Sequence, residues 1–375
     1  MRRFFSNLLR LGVKELASLR HDPMMLFLIV YAFSAAVVFV STGVKLEVSN
    51  AAIAVVDQDR SELSTRLTDA FSPPFFRKPV LIAANEVDRA MDVGRFGFVL
   101  QFPPDFEADV LRGRSPGVGL MVDATAMVQA GNGAAYVQTI LLQEAAVWLH
   151  SKGIEAQMPI AVVPRVWFNP NVEGRWFSSI MQLINSIVIL SILLVGAAVI
   201  REREHGTIEH LLVMPVTAVE IALAKILANG AVLLLAVVLS IELVIRGFLG
   251  VPVGGSRALF LFGTTIFLFS TTALGILIAT LARSMPQFAL MAIPVFTTML
   301  LLSGNMTPLE SMPNVLQWVM HVSPSVYYVQ FSQAVLYRGA GLDIVWRPVL
   351  IMAGLGVVFL AYATHRFHLM LANSA

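Results

Sequence analysis

The sequence predicts an α-helical polytopic membrane protein with six transmembrane helices and an extracytoplasmic α/β domain inserted between helices 1 and 2. Three observations carry that reading. Of 375 residues, 57% are hydrophobic and 13% charged, and mean hydropathy is +0.75; soluble globular chains average roughly 45–50% apolar and about 25% charged. Six apolar runs approach the roughly 20 helical residues that crossing about 30 Å of hydrocarbon requires. The charges are also segregated: residues 45–175 hold 12 basic and 15 acidic side chains, leaving 14 and 9 for the rest. Disorder, collagen and coiled coil are excluded. The pI near 9.0 arises in the apolar part and reports membrane topology, not nucleic-acid binding. With no cysteine in the chain, disulfides, thiolate chemistry and Cys-ligated zinc are excluded.

In chain order, residues 1–22 form an amphipathic interfacial helix. Phe4, Phe5, Leu8, Leu9, Leu16 and Leu19 follow helical spacing, with Arg3, Arg10 and Lys14 largely off that stripe. Such a helix lies along the inner leaflet with its basic residues near anionic lipid head groups. Residues 23–44 are the first span, too long for a signal-peptide core and lacking a small-residue cleavage site, so an uncleaved helix is expected. Within 45–175, segments 52–56, 96–102 and 118–122 read as strands. Helices are expected from a Ser61 cap to Phe71, over 104–111 and over 136–150, with an extended piece at 163–168. Strand order is not legible. Further spans follow at 176–200, 219–245, 258–282, 284–305 and 347–365. Lys and Arg in the short loops place both termini and the 201–225 loop in the cytoplasm and 45–175 outside. Trp318, Tyr327, Tyr328 and Trp346 read as an external aromatic belt.

The sequence contains no P-loop, no G-x-S-x-G and no H-E-x-x-H. The seven His are scattered; His205 and His210 diverge on a helix, and His365 and His368 read as solvated or interfacial. No catalytic, cofactor-binding or metal-ligating residue is expected. Of ionisable residues deep in the spans only Glu242 qualifies, near its span's external end, where an interfacial position and a cavity-lining one are both open. Gln182, Asn185 and Ser186 in the second span, and Thr297, Thr298 and Ser303 in the fifth, serve helix-to-helix hydrogen bonding as well as ligand contact. Phe288, Phe296 and Met299 fit either an apolar pathway or a lipid-facing surface. The pathway set is therefore Gln182, Asn185, Glu242, Phe288, Phe296, Thr297 and Met299.

The loop after the second span reads Arg201-Glu-Arg-Glu-His-Gly-Thr-Ile-Glu-His-Leu-Leu-Val-Met-Pro215. Its charges face water, Ile208, Leu211, Leu212 and Met214 make a short apolar stripe, and Pro215 ends the segment. A helix lying across the membrane surface here could push on two spans at once and insert its stripe into a groove on a cytoplasmic protein. Glu202, Arg203, Glu204, Gly206, Thr207, Glu209, Leu211 and Pro215 resemble the E-R-E-x-G-T-x-E-x-L-x-x-x-P signature of bacterial ABC type-2 exporter permeases. The likeness extends over most of the chain and is similar to the multidrug-type subgroup with a large periplasmic domain. Met306-Thr-Pro-Leu-Glu-Ser-Met-Pro313 through Tyr328 looks like that family's external helical hairpin, drawn at 306–340, before a last span at 347–365 and a cytoplasmic tail at 366–375.

The resemblance implies a non-catalytic transmembrane subunit of the bacterial inner membrane. Its partners would be a cytoplasmic ABC ATPase, which holds ATP and Mg, a second permease copy or paralogue, and a periplasmic membrane-fusion adaptor. Residues 201–218 would be the coupling helix, with Glu202, Glu204 and Glu209 as docking or hinge charges, Gly206 allowing a bend and Thr207 capping the next turn. The cargo implied is an amphiphilic small molecule or drug. An ion-coupled carrier and a membrane sensor using the α/β domain are the alternatives.

Overall fold

The computed structural model describes residues 2–43, 50–92, 94–123, 127–154, 173–206, 216–304, 309 and 312–372. It divides into two compact units: residues 44–174, and residues 1–43 together with 175–375.

The chain opens with α1 (Arg2–Arg20), α2 (Pro23–Phe33) and α3 (Ala35–Gly43). Asp22 caps α2 by accepting the Met25 N–H at 3.1 Å, with Pro23 at the first helical position, where its missing N–H costs nothing. Ser34 separates α2 from α3 and turns its hydroxyl back onto the Val30 carbonyl, a bond that competes with the helical ladder. The expected first span is thus one apolar rod with a break.

Residues 44–174 carry β1 (Ile53–Asp57), α4 (Glu62–Asp69), β2 (Val80–Leu81), α5 (Val87–Asp92), β3 (Phe98–Phe102), α6 (Phe106–Leu111), β4 (Gly119–Val122) and α7 (Met127–Ser151). The sheet order is β2-β1-β3-β4, with β1 parallel to β2 and β3 and β3 antiparallel to β4. Side chains alternate across it. Ile53, Val55, Phe98 and Leu100 pack with Leu63, Leu67 and Trp148, while Ala54, Val56 and Val99 pack with Val87 and Ala90. Cover on both faces explains why β1 is an unbroken apolar run. Ser61 caps α4 through the Ser64 N–H. At the carboxyl ends of β1 and β3, carboxylates satisfy helix starts across the sequence. Asp59 accepts from the Phe106 and Glu107 N–H groups at 2.9 and 3.0 Å, and Glu107 accepts from the Leu63 N–H at 2.9 Å. The expected extended piece at 163–168 lies outside the described residues.

The chain continues with α8 (Gly174–Glu204), α9 (Ala218–Leu239, running on as a π-helix through Ser240–Phe248), α10 (Arg257–Leu281), α11 (Met285–Leu301), α12 (Asn314–Met320), α13 (Pro324–Leu336) and α14 (Leu342–Ala372). Among the described residues, five helical stretches are long and apolar enough to cross a membrane: Pro23–Gly43, Gly174–Glu204, Ala218–Phe248, Arg257–Leu281 and Leu342–Arg366. The expected span at 284–305 is represented by Met285–Leu301, whose 17 residues reach about 25 Å at 1.5 Å per residue. It contains Pro294 and is followed closely by Gly304 at φ +88°.

Glycines let these helices approach. A Cβ on Gly196 of α8 would lie 2.0 Å from the Phe288 ring, and one on Gly275 of α10 would lie 2.8 Å from the Ile192 carbonyl oxygen, close packing of the kind that joins apolar helices in lipid. Helix α13 is largely buried. Tyr328 stacks on Phe267 with ring centroids 3.9 Å apart and hydrogen-bonds Thr264 at 2.9 Å. The belt reading therefore fails for Tyr328, because helical spacing turns it onto the inner face of α13. Trp318 is 78% exposed and Trp346 46%, as a belt requires.

Candidate functional site

Helix α8 carries its apolar face down to Ile200 and ends in four consecutive charged residues, each reaching a different partner. Arg201 pairs with Asp22 at the start of α2. Glu202 takes Lys225 of α9 at 2.8 Å and Lys14 of α1 at 2.5 Å. Arg203 donates to the Ala282 carbonyl at 2.6 Å, at the last turn of α10. Glu204 accepts the Met285 N–H at 2.8 Å, at the first turn of α11. Helix ends expose unpaired N–H groups at the start and carbonyls at the finish, so the signs match: a carboxylate meets an N-terminus and a guanidinium a C-terminus. Burial opposes charge on Asp22, but the Met25 N–H and Arg201 outweigh it and hold the carboxyl below the usual range.

Lys225 is the centre of this knot. Its side chain is 2% exposed and also meets Glu15 of α1 at 2.7 Å. Desolvating an ammonium costs several kcal/mol unless well-placed carboxylates compensate. Here two do so, from two different helices. A second tie runs from Asn7 of α1 to Glu220 at the start of α9, at 3.2 Å. Helices α1, α8 and α9 are therefore joined by side-chain bonds that converge on one buried lysine and its two carboxylates.

Of the signature residues, Glu202 and Arg203 are half-buried and turned inward, whereas Glu204 and Gly206 are exposed, as is His205 between them. Gly206 sits at φ +67°, the left-handed stop that closes a helix and redirects the chain. Thr207, Glu209, Leu211 and Pro215 lie outside the described residues. Between docking and hinge, the geometry of Glu202 is that of a fixed internal strut, and Glu204 holds the start of α11 from an exposed position. Sequence reasoning missed Glu15, Asp22 and Lys225. The available signal was a lysine seven residues into an apolar helix together with a glutamate on the apolar side of α1.

The pathway residues are not brought together at one site. Phe288 and Met299 are buried, Phe288 seated against Gly196. Phe296 is half-buried and Thr297 exposed. Gln182 donates to Ser186 at 3.4 Å, and Ser186 donates to the Ala32 carbonyl of α2 at 2.8 Å, the helix-to-helix role. Asn185, half-buried, also engages a partner. Glu242 lies in the π-helical part of α9, paired with Arg246 at 2.5 Å and Arg257 at 2.7 Å, which fits the interfacial position. Lys225 and Glu242 thus mark opposite ends of one rod of 31 residues. A cavity of about 320 Å³ lies between α2 and α9, lined by Ile29, Phe33, Val232, Leu235 and Leu239 among others, and none of the seven pathway residues lines it.

The sequence pattern of ABC-2 family transporter proteins matches residues 24–364. Over the full length of both chains, this one is 43% identical to the "Inner membrane transport permease YhhJ" of Escherichia coli strain K12. It is 29% identical to that strain's "Probable multidrug ABC transporter permease YbhR", over 92% of this chain and 94% of the relative. A more distant likeness, 26% identity to the "ABC transporter G family member 20" of Dictyostelium discoideum, covers 51% of this chain and 26% of the relative. The chain belongs to the ABC-2 family of transporter proteins, as a membrane permease.

Proposed function

We propose that this chain is the permease subunit of an ABC exporter: two copies, or this chain and a paralogue, enclose a path through the bacterial inner membrane and efflux an amphiphilic small molecule or drug. A separate cytoplasmic ATPase binds ATP and Mg and drives residues 201–218 as a coupling helix. Both termini are cytoplasmic, the short helix α11 acts as the sixth span, and residues 45–175 are periplasmic, where they serve a membrane-fusion adaptor or the exit.

The observation that carries this reading is the knot at 201–204. A stroke delivered to the loop that follows it would reach α1, α2, α9, α10 and α11 through side chains already in contact. The inner-membrane and multidrug names of the relatives support the location and the cargo class. The sensor alternative needs a cytoplasmic output domain, for which the segments between spans are too short. The carrier alternative expects ionisable groups deep in the spans that are free to exchange an ion, whereas Glu242 is committed to two arginines and Lys225 to two carboxylates.

The test is reconstitution of the chain with and without a co-expressed ATPase, reading ATP hydrolysis and efflux of a cationic amphiphilic dye. Efflux is expected only with both subunits and ATP. Efflux by the chain alone, following an ion gradient, would make it a carrier. Glu204→Lys combined with Glu209→Lys is expected to abolish ATPase co-purification or efflux; survival of both would remove the coupling assignment.

A further inference from the structure

Helix α1 has three faces. Leu11, Glu15 and Leu19 are buried against the helical unit. A second face carries Phe5, Leu9, Val13 and Leu16, spaced 4, 4 and 3 residues apart and each 42–71% exposed. Arg3, Arg10 and Arg20 are exposed beside that row. Among the described residues the row has no counterpart, but its surroundings identify what meets it. Only His21 and Asp22 separate α1 from α2, which begins the membrane-crossing stretch Pro23–Gly43. The helix is therefore held at the depth where the chain enters the bilayer. An apolar row flanked by guanidinium groups at that depth is complementary to acyl chains below phosphate head groups.

The buried face adds a second observation. Glu15 and Leu19 lie on the buried face that adjoins the outward row, and Glu15 shares Lys225 with Glu202 at 2.7 and 2.8 Å. Lys14 reaches Glu202 directly at 2.5 Å. We infer that α1 is a lipid-reading lever: its outward face binds anionic phospholipid, and Lys225 transmits the seating of that helix to Glu202 and so to the elbow at residues 201–206. The coupling element then stands in one position when α1 is seated on an anionic surface and is released when it is not. Lys225 and Glu15 are positioning residues in this scheme and touch neither cargo nor nucleotide. The inference depends on the proposed orientation only to name the leaflet, and its readout needs no ATPase, so its failure and a failure of ATPase coupling are distinguishable.

The experiment is hydrogen exchange of the full chain in nanodiscs of phosphatidylcholine alone and of phosphatidylcholine mixed with phosphatidylglycerol, followed in peptides covering α1 and residues 201–216. The anionic lipid is expected to slow exchange over 201–216 by about fivefold or more, the lower end of ordinary site-to-site coupling. Phe5→Ser with Leu9→Ser removes the lipid effect from both peptides. Glu15→Gln leaves Lys225 with Glu202 and Lys14 still on Glu202; it keeps the lipid effect on α1 and diminishes it over 201–216. Unchanged exchange in α10 (Arg257–Leu281) reports that each variant is folded, and Lys225→Arg is expected to retain the response. Equal exchange over 201–216 in the two lipids overturns the inference. So does a lipid effect that survives Phe5→Ser with Leu9→Ser, which would place the lipid elsewhere, or one that survives Glu15→Gln undiminished.

Discussion

Two places in this molecule use carboxylates to finish helix starts far away in sequence, and they differ in what surrounds the charge. In the α/β unit, Asp59 caps α6 and Glu107 caps α4, and Asp57 accepts the Asp59 and Arg60 N–H groups at 3.0 and 2.8 Å. The partners are backbone N–H groups, and the caps fix two short helices at the ends of β1 and β3. In the helical unit, Glu204 does the same for α11, but Glu202 two residues before it sits in a web whose centre is a buried lysine. The first arrangement can lose one bond and relax toward water. The second cannot, because Lys225 has little water to turn to. Capping chemistry of one kind thus gives local order in one unit and a rigid junction of separate helices in the other.

That contrast is most sharply tested at the junction. Glu202→Ala removes one of the two carboxylates on Lys225 and the contact with Lys14, and is expected to cost about 2–3 kcal/mol, as losing a buried hydrogen bond to a charged group does. The accompanying triple change Glu15→Gln, Glu202→Gln and Lys225→Met removes all three charges and is expected to be less destabilising than the single one. Thermal unfolding in one detergent, by loss of monodisperse protein, orders the variants. A triple variant that melts lower than Glu202→Ala would mean that shape, and not uncompensated charge, holds the helices together.

The matching change in the other unit is smaller. Asp59→Ala deletes the cap of α6 and is expected to cost about 1–2 kcal/mol, seen as faster hydrogen exchange in residues 98–111 with no change in Arg257–Leu281. A loss spread over both units would remove the distinction between local cap and junction.

What could be read in advance follows the same division. The apolar helices were legible because lipid crossing demands length and apolarity in one continuous stretch, and Ser61 announced α4 because N-cap chemistry is local. The expected strands at 52–56, 96–102 and 118–122 fall on β1, β3 and β4, while β2 has only two residues, Val80 and Leu81, too few to show a period. Tyr328 misled because an aromatic near a membrane boundary looks alike whether it faces lipid or, as here, Phe267. The knot was half legible. Its signature residues stood out as a charged loop, but Lys225 lies 23 residues from Glu202, Asp22 179 from Arg201 and Glu15 187 from Glu202, in a chain read one stretch at a time. Their pairing is a fact of tertiary packing, and no local pattern encodes it.

The smallest expected effect falls between the knot and the loop it serves. Gly206 takes φ +67°, donates to the Arg203 carbonyl at 3.2 Å, and has open space where a Cβ would go. Gly206→Ala therefore meets no neighbour and costs only the left-handed backbone, about 1 kcal/mol, while Asn, which tolerates that region, is expected to cost less. None of the ties at 201–204 involves residue 206, so melting of the helical unit is expected to stay within about 0.5 kcal/mol of wild type. The strain is instead expected to appear as faster exchange in residues 201–206 and, under the proposed function, as weaker coupling of ATP hydrolysis to efflux. An alanine variant with wild-type exchange at 201–206 would show that the turn is not held left-handed in the working protein, and the elbow would then have to begin further along the loop. If the helical unit itself melts lower, residue 206 belongs to the junction, and the junction extends past the four charged residues at 201–204.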